Sequence, residues 1–282
     1  MGATLFLFGL ATGCPAATPE RADPDPPARA ARLERRCAGG DQASCARLAD
    51  ALATAQGVAR DPVRALDLAR GACARGEAGG CAALGRLHAS GRGVPKNPMA
   101  AARWFRQACE AGDATGCTGL AALQLKGHGV AKSTADAAAG FRRGCEGGDP
   151  GGCDALGTLL EGGRQVPEDL PRAVELHGQA CEAGFAAACS NLGALVAKGR
   201  GAPADDARAA ELFRRACTGG EMAGCANLSL MVAQGRGVAK DPGRAAFLAQ
   251  WACGGGSAFG CSLARPPEAG AHRPMSRRSA GD

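Results

Sequence analysis

Apolar residues in this chain come in short helical bursts separated by glycine. In the stretch EAGGCAALGRLHASG (77–91), Cys81, Leu84 and Leu87 or His88 fall three or four positions apart and share one face. Glu77 opens the segment, where a carboxylate suits the positive end of a helix dipole, and Gly91 and Gly93 end it and turn the chain. The next stretch, NPMAAARWFRQAC (97–109), carries Ala101, Trp104, Phe105 and Ala108 as its apolar stripe. Asn97 supplies an N-cap, Pro98 fits the first helical turn, and Gly112 stops the helix. The pattern predicts two helices joined by a glycine turn.

That helix pair recurs with a fixed period of 36 residues. With each unit numbered from its first cysteine, position 4 is glycine in all seven units, from Gly40 to Gly256. Position 12 is leucine in six (Leu48, Leu84, Leu120, Leu156, Leu192, Leu228), and position 29 is alanine in six, from Ala65 to Ala245. Position 13 is small, and position 19 is mostly glycine, often within GxGV. One unit cannot bury its own apolar face, so the units are expected to stack into an all-α solenoid of about seven hairpins. Composition agrees with this. Tyrosine is absent and aromatics make up only 4% of the 282 residues, which suits many thin layers built from alanine and leucine.

Cysteine changes the picture most. Fourteen of the fifteen cysteines form C-x7-C pairs on the same 36-residue period: Cys37/Cys45, Cys73/Cys81, Cys109/Cys117, Cys145/Cys153, Cys181/Cys189, Cys217/Cys225 and Cys253/Cys261. The first of each pair ends one helix and the second lies early in the next, with the position-4 glycine folding the chain between them. A regular, even set reads as a disulfide framework and an oxidising compartment. Structural zinc prefers C-x2-4-C with histidine nearby. The histidines at 88, 128, 177 and 272 keep no register with the cysteine pairs, so no metal or other cofactor is expected.

The remaining cysteine, Cys14, follows the apolar run ATLFLFGLATG, which is too short to span a bilayer but normal for a secretory leader. LATGC resembles the lipobox of bacterial lipoproteins, which would make Cys14 the lipidated first residue. A plain signal peptide is the other reading. Lipidation accounts for the odd cysteine, although no Lys or Arg precedes the apolar run and Ala11 stands where Leu is usual. The expected layout is a leader at 1–13, a Pro-rich tether at 14–27, the repeat array at 28–264 and a basic tail at 265–282. The net charge of +6 is mild, with four arginines and only two acidic residues in that tail, and there is no dense basic face with interleaved aromatics of the kind nucleic acid would need.

The pattern A-x-x-L-G…G-x-G-V…A…A at this period resembles the Sel-one-like repeat, a relative of the tetratricopeptide repeat. The C-x7-C in each unit resembles the secreted subgroup known as Helicobacter cysteine-rich proteins. The resemblance covers about residues 28 to 264. It implies a tetratricopeptide-like, right-handed α-solenoid in which each hairpin is joined to the next by a disulfide. The family's usual tyrosine at position 16 is missing, with Leu52, His88, Gln124, Leu160, Val196 and Val232 in its place. Members of the subgroup are described as penicillin-binding proteins and β-lactamases, so the resemblance also implies a β-lactamase-like hydrolase as the alternative function. No S-x-x-K, clustered metal ligands or G-x-S-x-G elbow accompanies it here, and no catalytic residue can be assigned.

A helical solenoid lines its concave face with the first helix of each unit, where positions 11, 14 and 18 form the exposed stripe. Arg47, Arg86, Lys126, Asn191, Lys198 and Asn227 stand there as candidate groove residues. The asparagines suit a peptide backbone and the lysines a carboxylate. His88, Trp104 and Trp251 are expected to be packed. The function expected is a monomeric, exported scaffold for a protein or peptide ligand in the cell envelope, periplasmic or anchored to the outer membrane through Cys14 alone.

Overall fold

The computed structural model describes residues 25–163 and 166–264, so the leader, Cys14, most of the tether and the basic tail lie outside the described residues. The fourteen helices within them are α1 (Pro26–Ala38), α2 (Gln42–Thr54), α3 (Pro62–Ala74), α4 (Ala78–Ser90), α5 (Pro98–Glu110), α6 (Ala114–Lys126), α7 (Thr134–Glu146), α8 (Pro150–Gly162), α9 (Leu170–Glu182), α10 (Ala186–Lys198), α11 (Asp206–Thr218), α12 (Met222–Gln234), α13 (Pro242–Gly254) and α14 (Ala258–Ala264). No strand occurs among the described residues. Helix α1 starts at Pro26, so the last two prolines assigned to the tether open a helix, at positions where proline loses no hydrogen bond.

Each boundary has a local cause. Asn97, Ser133, Asp169, Asp205 and Asp241 cap the odd-numbered helices by accepting from the backbone N–H three residues on. The even-numbered helices mostly end on a left-handed residue in the GxGV turn, which is glycine at 91, 127, 163, 199 and 235 but Ala55 in the first unit, at φ 61°. The second glycine of that turn is fixed by packing: a Cβ on Gly93 would lie 2.4 Å from the Pro62 carbonyl oxygen.

Even-numbered helices pack on each other along the array, α2 on α4, α4 on α6, α6 on α8, α10 on α12 and α12 on α14. Pairs of odd helices make no such contact, so the even helices form the inner, concave row. Helices α8 and α10 contact each other less extensively than their counterparts do.

The core is alanine and leucine with a few aromatic wedges. Phe105 of α5 inserts between two inner helices, and a Cβ on Gly85 or Gly119 would fall 2.5 or 2.6 Å from its ring. Phe213 sits against Gly193 in the same way. Glycine on the inner helix is therefore what makes room for a large outer residue.

All seven C-x7-C pairs are disulfides: Cys37–Cys45, Cys73–Cys81, Cys109–Cys117, Cys145–Cys153, Cys181–Cys189, Cys217–Cys225 and Cys253–Cys261, with Cα–Cα separations of 4.3 to 4.7 Å. The first cysteine of each pair is the last residue but one of an odd helix. Its partner, at Cys45, Cys81, Cys117, Cys153, Cys189, Cys225 or Cys261, is the fourth residue of the even helix that follows. Those partners are buried as far as Cys225, whereas Cys261 is half-buried, with no further unit covering α14 among the described residues. Each bridge crosses the turn at position 4, where Gly40, Gly76, Gly112, Gly148, Gly184, Gly220 and Gly256 all take positive φ. With the repeat unit taken as an even helix and the odd helix after it, every bridge joins successive units.

Candidate functional site

A concavity of about 600 Å³ lies on the inner row, over α2, α4, α6 and the start of α8. Its floor is Ala46, Phe105, Gly119 and Ala122, and its rim carries Arg47, Asp50, Glu77, Arg86, Asp113, Thr115 and Asp149. Two of the residues singled out from sequence, Arg47 and Arg86, are therefore brought to one cavity. The bridged cysteines form no part of its lining. Cys45, Cys117 and Cys153 begin the helices beneath it, and Cys189, Cys225 and Cys261 begin those further along, each with its sulfur already bonded across the turn. Their role is structural: they fix the spacing of the inner helices and leave contact with a ligand to other side chains.

The rim is internally bonded. Arg86 donates through Nε to Oδ1 of Asp50 at 2.9 Å, through Nη2 to Oδ2 of Asp50, and through Nη1 to the Thr115 hydroxyl at 3.1 Å. Thr115 in turn donates to Asp113, whose carboxylate also accepts from the Gly116 N–H as the N-cap of α6. Loss of solvent inside the cavity pushes the Asp50 carboxyl above its ordinary pKa; Arg86 pulls the other way, and the negative charge of Asp113 adds to the rise. Arg47 is exposed and carries no ion pair among the described residues.

The other groove candidates lie further along the same row. Lys126 and Lys198 are exposed at the C-terminal ends of α6 and α10, where a cation suits the helix dipole. Asn227 is half-buried on α12. Asn191 on α10 is also half-buried, and its Nδ2 donates to Oδ1 of Asp154 on α8 at 2.9 Å. The structure thus distributes these residues along the inner face and does not gather them into one pocket.

Sequence reasoning missed the partner of that bond. His177 of α9 is fully buried, and its Nδ1 lies 2.7 Å from the same Asp154 oxygen. It occupies the seat that Phe105 and Phe213 fill elsewhere and rests against Gly157. The register that found it out of phase with the cysteines would have found it in phase with the phenylalanines. His177 and Asp154 are the one histidine–carboxylate pair among the described residues, and Nε2 is buried without a hydrogen-bond partner. The arrangement offers hydrogen bonding and fixed charge, with no nucleophile aligned on the ring.

His88 is half-buried, and burial, then the positive charges of Arg70 and Arg103, hold its pKa below the ordinary value. Trp104 packs against the N-terminal core as expected. Trp251 does not: it is 46% exposed beside an exposed Phe247. Its position is Gly71, Gln107, Arg143, Gln179 or Arg215 in the other units, an outward-facing place that its residue type concealed. Among the described residues no helix is long and apolar enough to cross a membrane, and no cluster of three or more metal-ligating side chains occurs.

A rigid, disulfide-stapled helical array with an open inner groove is the architecture of a binding scaffold. The model of the Sel1 repeat matches residues 42–77, 78–113, 150–185, 186–221 and 223–257, so the chain belongs to the Sel1 repeat family. Residues 114–149, outside those matches, form the same helix pair as α6 and α7. Among solved structures the chain is similar to a Sel1 repeat protein from Oxalobacter formigenes, at 27% identity over 76% of this chain and 88% of that one, with TM-score 0.67. It is also similar to the uropathogenic Escherichia coli protein c5321, a protective antigen with an SLR fold, at 25% identity over 82% of this chain and TM-score 0.63. The match spans only 50% of c5321. Helicobacter pylori cysteine-rich protein B is 26% identical over 47% of this chain and 96% of its own length, with a TM-score of 0.39, too limited a superposition to argue from. No protein of curated function matches the sequence.

Proposed function

We propose that this protein is an exported scaffold that holds a protein or peptide segment along its concave face. The observation that carries this reading is the inner row itself. Repeated backbone units present different side chains at positions 11, 14 and 18, as in Arg47 and Asp50, which line a cavity of about 600 Å³, against Asn191 and Ala194 further along. Family membership supports it, since Sel1 repeats commonly serve protein–protein contact. The seven disulfides support export, because such bridges persist in oxidising compartments. Anchoring through Cys14, placement in the bacterial envelope and action as a monomer complete the proposal.

Photo-crosslinking in the producing cell tests it. A photoreactive residue at position 47 or 227, on the inner row, is expected to give a discrete protein adduct, while the same residue at exposed Val63 or Met99 gives none. Equal labelling from both sets of positions would remove the groove from the account. Fractionation with thiol alkylation tests the address: the protein should leave the cytoplasm with its fourteen paired cysteines blocked to alkylation.

A further inference from the structure

Two residues break the repeat register in the same layer, and they touch. The outer-helix seat that is Phe105, Phe141 or Phe213, or Ala69 or Ala249, in other units is His177, and the inner-helix position that is Ala46, Ala82, Thr118, Ser190 or Ala226 is Asp154. His177 is 0% exposed and its Nδ1 lies 2.7 Å from Asp154 Oδ1, while Asn191 donates to that same oxygen at 2.9 Å. His177 Nε2 is buried without a hydrogen-bond partner, so the ring's polar contact is the one from Nδ1 to that carboxylate. The Asp154 side chain is only 14% exposed, and among the described residues no lysine or arginine pairs with it. By contrast, Asp50, Glu161 and Asp206 each hold an arginine. A half-sequestered carboxylate with no lysine or arginine beside it has room for a permanently charged partner from outside the chain.

Its place in the groove suits that. In the first cavity the wall is made by the same two register positions, Ala46 with Arg47 and Thr118 with Gly119. Asp154 and Asn191 stand at those positions further along, on α8 and α10, and meet there. Oδ1 is occupied by two donors, and Oδ2 has no hydrogen bond among the described residues.

We propose that Asp154 anchors a recognition site for the ammonium or guanidinium group of a basic side chain in a peptide lying in the groove, with His177 and Asn191 as positioning residues. The inference rests on the groove-binding reading above. Binding completes the ion pair, and the two positioning residues hold the carboxylate so that little ordering is left for the ligand to induce.

The test uses the full, oxidised protein and a phage-displayed library of random decapeptides. Selected peptides are synthesised with their Lys or Arg, and again with acetyl-lysine or citrulline in its place, and titrated by calorimetry. D154N keeps the shape and most hydrogen bonds but removes the charge. It should weaken the basic peptide about tenfold and leave the neutral analogue unchanged. H177F should shrink the same basic-to-neutral ratio, and adding it to D154N should shrink the ratio no further. E175Q, on the outer face, should change nothing. Peptides that compete for the groove yet bind wild type and D154N equally would overturn this assignment and leave the scaffold reading standing. A selection that returns no groove-binding peptide would overturn both.

Discussion

Arg86 reaches back across one whole repeat to grip Asp50: the two residues are 36 apart in sequence, and their side chains meet fork to fork on the groove rim. This pairing offsets the solvent loss that raises the Asp50 carboxyl. In R86A, the Asp50 carboxyl would lose its ion-pair partner. We expect a loss of about 0.5–1 kcal/mol in urea unfolding at pH 7, modest because both side chains are 39% exposed. A raised carboxyl destabilises the fold as pH climbs through its titration. The loss in R86A should therefore shrink as pH is lowered and Asp50 takes up its proton.

The bridge Cys109–Cys117 closes a loop with a sequence separation of 8. C109A/C117A should lower stability by about 2–3 kcal/mol on the chain-entropy estimate. C253A/C261A, at the seven-residue terminal helix, should instead cause fraying there. Hydrogen exchange separates the two outcomes: protection lost only in α14 for the terminal pair, and across several helices for the central one.

His88 carries a pH dependence of the opposite sign to Asp50. Its pKa is held down in the fold by burial and by Arg70 and Arg103, so the unfolded chain binds the proton first. Stability from this residue is present above the unfolded histidine pKa and is lost as pH falls through and below it. H88L borrows the residue found at Leu52 and Leu160. It should flatten the decline in melting temperature between pH 7 and pH 5 relative to wild type, as followed by circular dichroism.

Ala55 adopts the left-handed conformation that glycine holds at the same place in later units, such as Gly91 and Gly127. A Cβ is disfavoured there. A55G should raise stability by about 0.5–1 kcal/mol, read as a higher urea midpoint with unchanged slope.

His177 and Asp154 are expected to be coupled in stability as well as in binding. H177F leaves the carboxylate with Asn191 alone, and D154A leaves Nδ1 buried without an acceptor, so each single change should destabilise. H177F/D154A recreates the Phe105–Ala82 pairing found at the same register in an earlier unit and should exceed wild type by about 1–2 kcal/mol. A double variant less stable than either single one would show that the polar pair stabilises the fold by itself.

The repeat made most of the architecture legible. Leucine at position 12, alanine at position 29 and glycine at position 4 located every hairpin, and Cys81 and Cys109 marked helix ends to within a few residues of the boundaries of α4 and α5. The candidate site was less legible because its determinants are departures from the pattern. Asn191 and Arg86 were visible as variable positions, but their partners, Asp154 and Asp50, depend on how far one inner helix stands from the next, which residue spacing does not encode. Trp251 shows the converse, a residue whose size implied burial while its column implied exposure.

From α1 to α13 every helix is thirteen residues long. A cassette of 36 residues can therefore be duplicated or excised with both junctions already complementary, sulfur included. Lineages carrying this design can lengthen or shorten their reach by whole steps, and can retune a single rung such as Asp154 without disturbing its neighbours.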